Sequence, residues 1–332
     1  MDNDKQNVQS NNTQDSSKQP PKPIFDTEAY KCSSFIEGLN KCNSKDELIK
    51  YVDSIVDSFP HDEDTPDRIG TSGSLFSSVS YTNNGEYRGF IDPSVKITNA
   101  TLGYSYHIYD RDYLYAFAYG IRKKKYPSDK SLLPHVMKFL DAYFGYPEDN
   151  VDRRDTVLFN FALNHAEEFY KTHNLQRYND IGAVDQMQLK GEFPLSALKG
   201  TYSAQCMERA VLAQNILKVC GYNSSIMYGD CESNGQIEGH SWNSIRDKDD
   251  NIFIMDFSNT VYSYQDGKFV GRRPYSHAIS GAEYLARDGE VEMPDYHYSN
   301  GRIVREKTNR IYATGKTLNK QNAKTVGNKK NE

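Results

Sequence analysis

The sequence predicts an α+β protein, and three observations carry that reading. Behind a Ser44-Lys-Asp-Glu47 capping box, Leu48, Tyr51, Val52, Ile55 and Val56 recur at helical spacing, and Val136, Phe139, Leu140 and Phe144 repeat the pattern later in the chain. Met207, Ala210, Val211, Gln214 and Leu217 mark a further helix that should stop at Gly221. Beyond that glycine the period changes from helical to short strands, over Ser224–Tyr228, His240–Arg246 and Ile252–Phe257.

Composition narrows the class. The 332 residues are 37% hydrophobic and 26% charged, with a mean hydropathy of -0.77, as expected of a water-soluble globular protein with polar tails. A formal net charge of -5 gives no reason to expect nucleic acid as a partner. No apolar run approaches the ~18 residues of a transmembrane segment, and the N-terminus lacks a basic-then-apolar leader, so a cytoplasmic protein is expected. Five cysteines, at 32, 42, 206, 220 and 231, form no CxxC pair. Free thiols are expected over the pairs Cys32–Cys42 and Cys220–Cys231. Cys206, Cys220, Cys231 and His240 match no common zinc spacing, so neither metal nor cofactor is expected.

Taken in order, the chain opens on a polar, proline-ended arm over residues 1–24. A mixed, mostly helical region of unassigned role follows over 25–180. It comprises the helical stretch Thr27–Phe59, a loop at His61–Asp67, a turn-rich alternating stretch from Gly70 to Pro127, and helices over Leu132–Tyr146 and Asp155–Tyr170, the latter with His165 on its apolar face. Tyr104, Tyr106, Tyr109, Tyr113, Tyr115, Tyr119 and Tyr126 cluster in the alternating stretch. Half-buried strand faces explain such a cluster, and an aromatic contact platform is the functional alternative. Residues 181–315 form the cysteine-bearing domain, with hairpins expected at Thr260–Gly271 and at Arg302–Glu306 with Arg310–Thr314. The tail over 316–332 carries five lysines against one glutamate.

Chemistry concentrates between Gly200 and Thr260. With Ser203 as cap, Cys206 falls in the first helical turn, where unpaired amides and the positive end of the helix dipole lower a thiol from its free pKa of about 8.5. The Cys206 N–H would face the oxygen of a carbonyl under attack by the sulfur. His240 and Asp256 fall on neighbouring strands of one hairpin, after a polar loop from Gly229 to Gly239. An imidazole base and its carboxylate orienter need such an arrangement.

These residues resemble the transglutaminase-like superfamily of papain-like fold. Its pattern is a cysteine opening a helix, a helix ending near glycine, a strand, a histidine with tryptophan two residues on, and an aspartate on the next strand. Cys206, Gly221, His240 with Trp242, and Asp256 match in order, at intervals of 34 and 16 residues. The resemblance implies a Cys-bearing helix packed on an antiparallel sheet, with Cys206 as nucleophile, His240 as general base and acid, and Asp256 as orienter. It also implies a peptide or protein substrate whose amide forms a thioester, passed to water by a peptidase, amidase or deamidase, or to an amine by a transamidase. Gln205 departs from the family's small or apolar residue before the cysteine, leaving Gln188, Tyr202 and Gln205 as candidates for the second oxyanion donor. A non-catalytic binding or scaffold module on the same fold is the competing expectation.

Overall fold

The computed structural model describes residues 32–59, 86–92, 95–99, 104–108, 110–144, 192–200, 204–233, 236–247, 249, 251–265, 268–279, 291–299 and 302–313. Both terminal arms, the loop at 61–67, the helix expected over 155–170 with His165, and Gln188, Tyr202 and Ser203 lie outside these residues. The architecture is α+β: five helices among the described residues, a small three-stranded sheet and a seven-stranded sheet.

Helix α1 (Ser33–Lys41) buries Phe35, Ile36 and Leu39, and α2 (Lys45–Val56) buries Leu48, Ile49, Val52 and Val56. Ser44 caps α2 as its sequence requires, its Oγ accepting the Glu47 N–H at 3.1 Å. The Glu47 carboxylate reaches one residue further back than a capping box predicts and accepts from Asn43 N at 2.6 Å. Short strands β1 (Glu86–Tyr87), β2 (Ile97–Asn99) and β3 (Tyr104–His107) follow. The alternating pattern then fails, because Asp112–Lys123 is a helix, α3, and not a strand. Tyr113, Tyr115, Phe117 and Tyr119 mimic a strand period, but α3 is enclosed by neighbours and every residue from Tyr113 to Ile121 is buried. Tyr106 is buried as well, so Tyr106, Tyr113, Tyr115 and Tyr119 belong to the core; Tyr126 is half-buried, and Tyr109 lies outside the described residues. Helix α4 (Leu133–Phe144) buries Val136, Phe139, Leu140 and Phe144 as expected. Strand β4 (Glu192–Pro194) pairs parallel to β3, β2 pairs antiparallel on its other side, and a 3-10 turn at Leu195–Leu198 leads onward.

Helix α5 (Cys206–Val219) is the central element, buried on all sides from Met207 to Leu217. A single apolar stripe was the expectation; instead the helix is enclosed, and Gln214 and Asn215 tie it to neighbouring backbone. Gln214 Nε2 donates to the carbonyls of Gly89 and Ser224 at 2.9 and 3.1 Å. Asn215 exchanges hydrogen bonds with the backbone of Ile91 at 2.8 and 3.1 Å and donates to the Tyr113 hydroxyl at 2.8 Å. Gly221, at φ +88, ends the helix in the left-handed conformation, and the Tyr222 N–H closes back on Leu217 O at 3.0 Å.

The large sheet comprises β5 (Ser224–Ser233), β6 (Gln236–Arg246), β7 (Ile252–Gln265), β8 (Lys268–Ile279), β9 (Val291–Ser299) and β10 (Arg302–Ala313), with β1 on its edge. Its pairings close on themselves. β5 pairs β6, β6 pairs the first part of β7, the last part of β7 pairs β9 in parallel, β9 pairs β10, and β10 returns to β5. β8 runs along the other side of β7, giving the hairpin expected around 266–267. Two expectations are corrected here. The polar loop expected at Gly229–Gly239 is instead strand over Gly229–Ser233 and Gln236–Gly239, registered from Gly229↔His240 to Ser233↔Gln236. Residues 302–313 form one strand paired with β9, not a hairpin of their own. Polar and glycine residues hid strands whose pairing comes from the closed circuit rather than from side-chain alternation.

By alternation, Ile226, Ile245, Phe253, Met255 and Phe257 join the core around α5, while Met227, Trp242, Ile254 and Ile279 are buried on the opposite face. Asn243 ties the sheet to the helix, its Nδ2 donating to Ala210 O at 3.0 Å. One hydrophobic cluster takes in residues of all five helices and of this sheet. No helix among the described residues is long and apolar enough to cross a membrane.

Candidate active site

Cys206 is the first residue of α5, two positions closer to the helix end than a Ser203 cap would place it. Gln205 is the capping residue, extended at φ -101 and ψ -167, and its N–H is held by the Glu208 carboxylate at 2.8 Å. As first helical residue, Cys206 has an N–H outside the i to i-4 ladder, available to a ligand at the helix end. Its side chain is half-buried, as is Cys231, whereas Cys32, Cys42 and Cys220 are buried; all five are free thiols. Cys220 follows the far end of α5, and a fourteen-residue helix spans about 20 Å, so Cys206 and Cys220 cannot share a metal ion.

His240 and Asp256 lie inside longer strands than expected, β6 and β7. Their pairing ends at Asn243↔Met255, and just beyond it the side chains meet, His240 Nε2 to Asp256 Oδ2 at 2.5 Å. The reason Asp256 can sit there is a bulge. Register with β8 skips from Asp256↔Tyr275 to Thr260↔Pro274, and Pro274 has no N–H for a ladder. The bulge turns its own donors onto the carboxylate. Asp256 Oδ1 accepts from Ser258 N at 3.0 Å, Ser258 Oγ at 2.6 Å and Asn259 N at 3.1 Å, and Oδ2 accepts from Asn259 Nδ2 at 2.7 Å. Asn259 Nδ2 also lies 3.3 Å from His240 Nε2, two donors converging on one oxygen.

Electrostatics follow from that cage. Asp256 is 0% exposed. Burial pushes its pKa up, but the His240 charge and hydrogen bond, with those of Ser258 and Asn259, more than offset this and hold it at about 2. Burial likewise pushes His240 down; the Asp256 charge and hydrogen bond, then a hydrogen bond and charge from Cys206, outweigh it and hold the imidazole well above its usual range. With Nε2 committed to Asp256, Nδ1 is the nitrogen left to face the Cys206 sulfur. The Trp242 ring stacks on the imidazole, centroids 5.8 Å apart and planes at 22°, fixing its tilt. Tyr228 of β5, across from Ser241 of β6, has its phenol 3.2 Å from where a Cβ on Gly239 would stand, and burial, then Asp230 and Cys206, push its pKa up.

The structure thus brings Cys206, His240 and Asp256 together, with Trp242 beside them. Gln205 is exposed next to Cys206, whereas Gln188 and Tyr202 lie outside the described residues. No family model, curated protein or solved structure matches the chain.

Ser258, Asn259, Tyr228 and Arg209 escaped the sequence reading. The first two had a local signal, since Asp256-Phe-Ser-Asn259 has the small polar residues that fold back on an aspartate. Arg209, one turn along α5 from Cys206, carried no sequence signal beyond a charge on a helix.

Proposed function

We propose that the protein is a cysteine-nucleophile acyl-transfer enzyme of transglutaminase-like type, with a papain-like core in which α5 carries the nucleophile and the sheet carries its base. The observation that supports this most is the 2.5 Å contact of His240 Nε2 with Asp256 Oδ2 on an imidazole that also hydrogen-bonds Cys206. A buried, caged aspartate holding a histidine against a half-buried thiol at a helix start is costly to build for packing alone.

In this reading the Cys206 sulfur attacks the carbonyl carbon of a peptide or protein amide. Charge on the carbonyl oxygen is met by the Cys206 N–H at the helix end. The C–N bond breaks as the amine leaves with a proton from His240, and a thioester remains on Cys206. Water, deprotonated by His240, then releases the acid; an amine in its place gives a new amide. Hydrolysis is the favoured outcome, as peptidase, amidase or deamidase. Asp256 stays ionised throughout and orients the ring.

Mass spectrometry of the full chain after incubation with glutamine-containing peptides, with and without a primary amine, is expected to find an acyl adduct on Cys206 that is absent in His240→Ala. Iodoacetamide at pH 6 to 7 should label Cys206 at least about tenfold faster than Cys231, the other half-buried thiol. Equal labelling of the two, with no adduct, would leave a binding module as the surviving reading.

A further inference from the structure

Arg209 is 4% exposed, a cation buried one turn after Cys206. Its Nε donates to the backbone carbonyl of Phe257 at 2.8 Å, and its Nη2 to Asp141 Oδ1 on α4 at 2.6 Å. Phe257 adjoins Asp256 and belongs to the bulge that cages it, where the register with β8 skips. Asp141 is itself largely buried, its side chain 14% exposed. The same helix α4 touches the chain on the other side of Cys206: Gly200, at φ +72, donates its N–H to Tyr143 O at 3.0 Å. Helix α4 therefore holds the approach to Cys206 at one point and the Arg209 guanidinium at another.

Helix α5 and strand β7 are far apart in sequence, and the His240 ring must meet the sulfur from one and the carboxylate from the other. A sub-ångström slide of α5 against the bulge would open one of those two hydrogen bonds. A guanidinium is suited to prevent this, because its planar fork fixes two acceptors in direction as well as distance, which a lysine ammonium does not.

From this geometry we infer that Arg209 is a positioning residue that locks the Cys206 helix to the Asp256 bulge, with Asp141 of α4 fixing its orientation. The N-terminal helical region is by this inference a working part of the site. The inference rests on the acyl-transfer reading above.

The test is the rate of iodoacetamide alkylation of Cys206 against pH, from 5 to 9, in the full-length wild type, Arg209→Lys and Asp141→Asn, alongside folding checked by circular dichroism. Wild type should react faster at Cys206 than at Cys231 near pH 6. Arg209→Lys keeps the charge and loses the fork. It should alkylate about 10 to 100-fold more slowly near pH 6, with its profile displaced to higher pH, as expected when a reacting pair is misplaced by about 1 Å. Asp141→Asn keeps an acceptor oxygen and should fall between the two. It also carries the test if the lysine variant does not fold. Profiles of the folded variants that superimpose on wild type would overturn the inference and leave the acyl-transfer reading intact. A wild type in which Cys206 reacts no faster than Cys231 would overturn both.

Discussion

Asp256 sits where water cannot reach it, so its charge is carried by the imidazole of His240 and by donors of the bulge that follows it. The sign of its contribution to stability is set by that cage. Its pKa of about 2 lies below the ~3.9 of an unfolded aspartate, so its contribution is full above about pH 4 and is lost as pH falls through 2. That difference amounts to roughly 2 to 3 kcal/mol. His240 is raised, so its contribution is full below the unfolded value of about 6.5 and is lost as pH climbs through its higher folded pKa. Urea unfolding across pH 2 to 9 should therefore show greatest stability from the pair between about pH 4 and 6.5. Asp256→Asn removes the partner of a buried imidazolium. It should cost about 3 kcal/mol at pH 6 and flatten both limbs; a curve parallel to wild type would contradict the charged pairing.

Among the elements, α5 departs most from what its sequence pattern implies. An amphipathic helix shows one face to solvent, whereas α5 is enclosed and turns its polar side chains into internal connectors. Asn215 alone satisfies the N–H and C=O of Ile91 and the hydroxyl of Tyr113. Asn215→Ala should cost about 3 kcal/mol in urea unfolding with little change in denaturant slope, because buried backbone groups would lose their partners. Asn215→Asp should be worse, since an ionised carboxylate cannot donate to Ile91 O. Helix α3 carries the complementary lesson. Its tyrosines repeat every second residue as in a strand, yet enclosure by neighbours makes every face apolar, and periodicity then ceases to distinguish helix from strand.

At the scale of the molecule, the region over 25–180 and the cysteine-bearing region share one hydrophobic cluster in which α5 is central. A fragment comprising residues 181–332 would expose the α5 surface that packs on α2, α3 and α4, and would remove Asp141 from Arg209, Gly89 from Gln214, and both Ile91 and Tyr113 from Asn215. Expressed alone, it should lack the dispersed amide spectrum and cooperative unfolding of the full chain. A folded fragment would show that the sheet and α5 suffice.

Local chemistry made much of this legible in advance. The Ser44 cap, the apolar stripes of α2 and α4, the Gly221 stop and the Cys206, His240, Asp256 order are all written within short windows, because caps, periods and glycine conformations depend on neighbours in sequence. The closed strand circuit, the enclosure of α3 and α5 and the Arg209 link to Asp141 were decided by tertiary structure. Each depends on residues tens of positions apart being brought into contact. Burial and hydrogen-bond partnership are properties of the packed chain, and no window of sequence contains them.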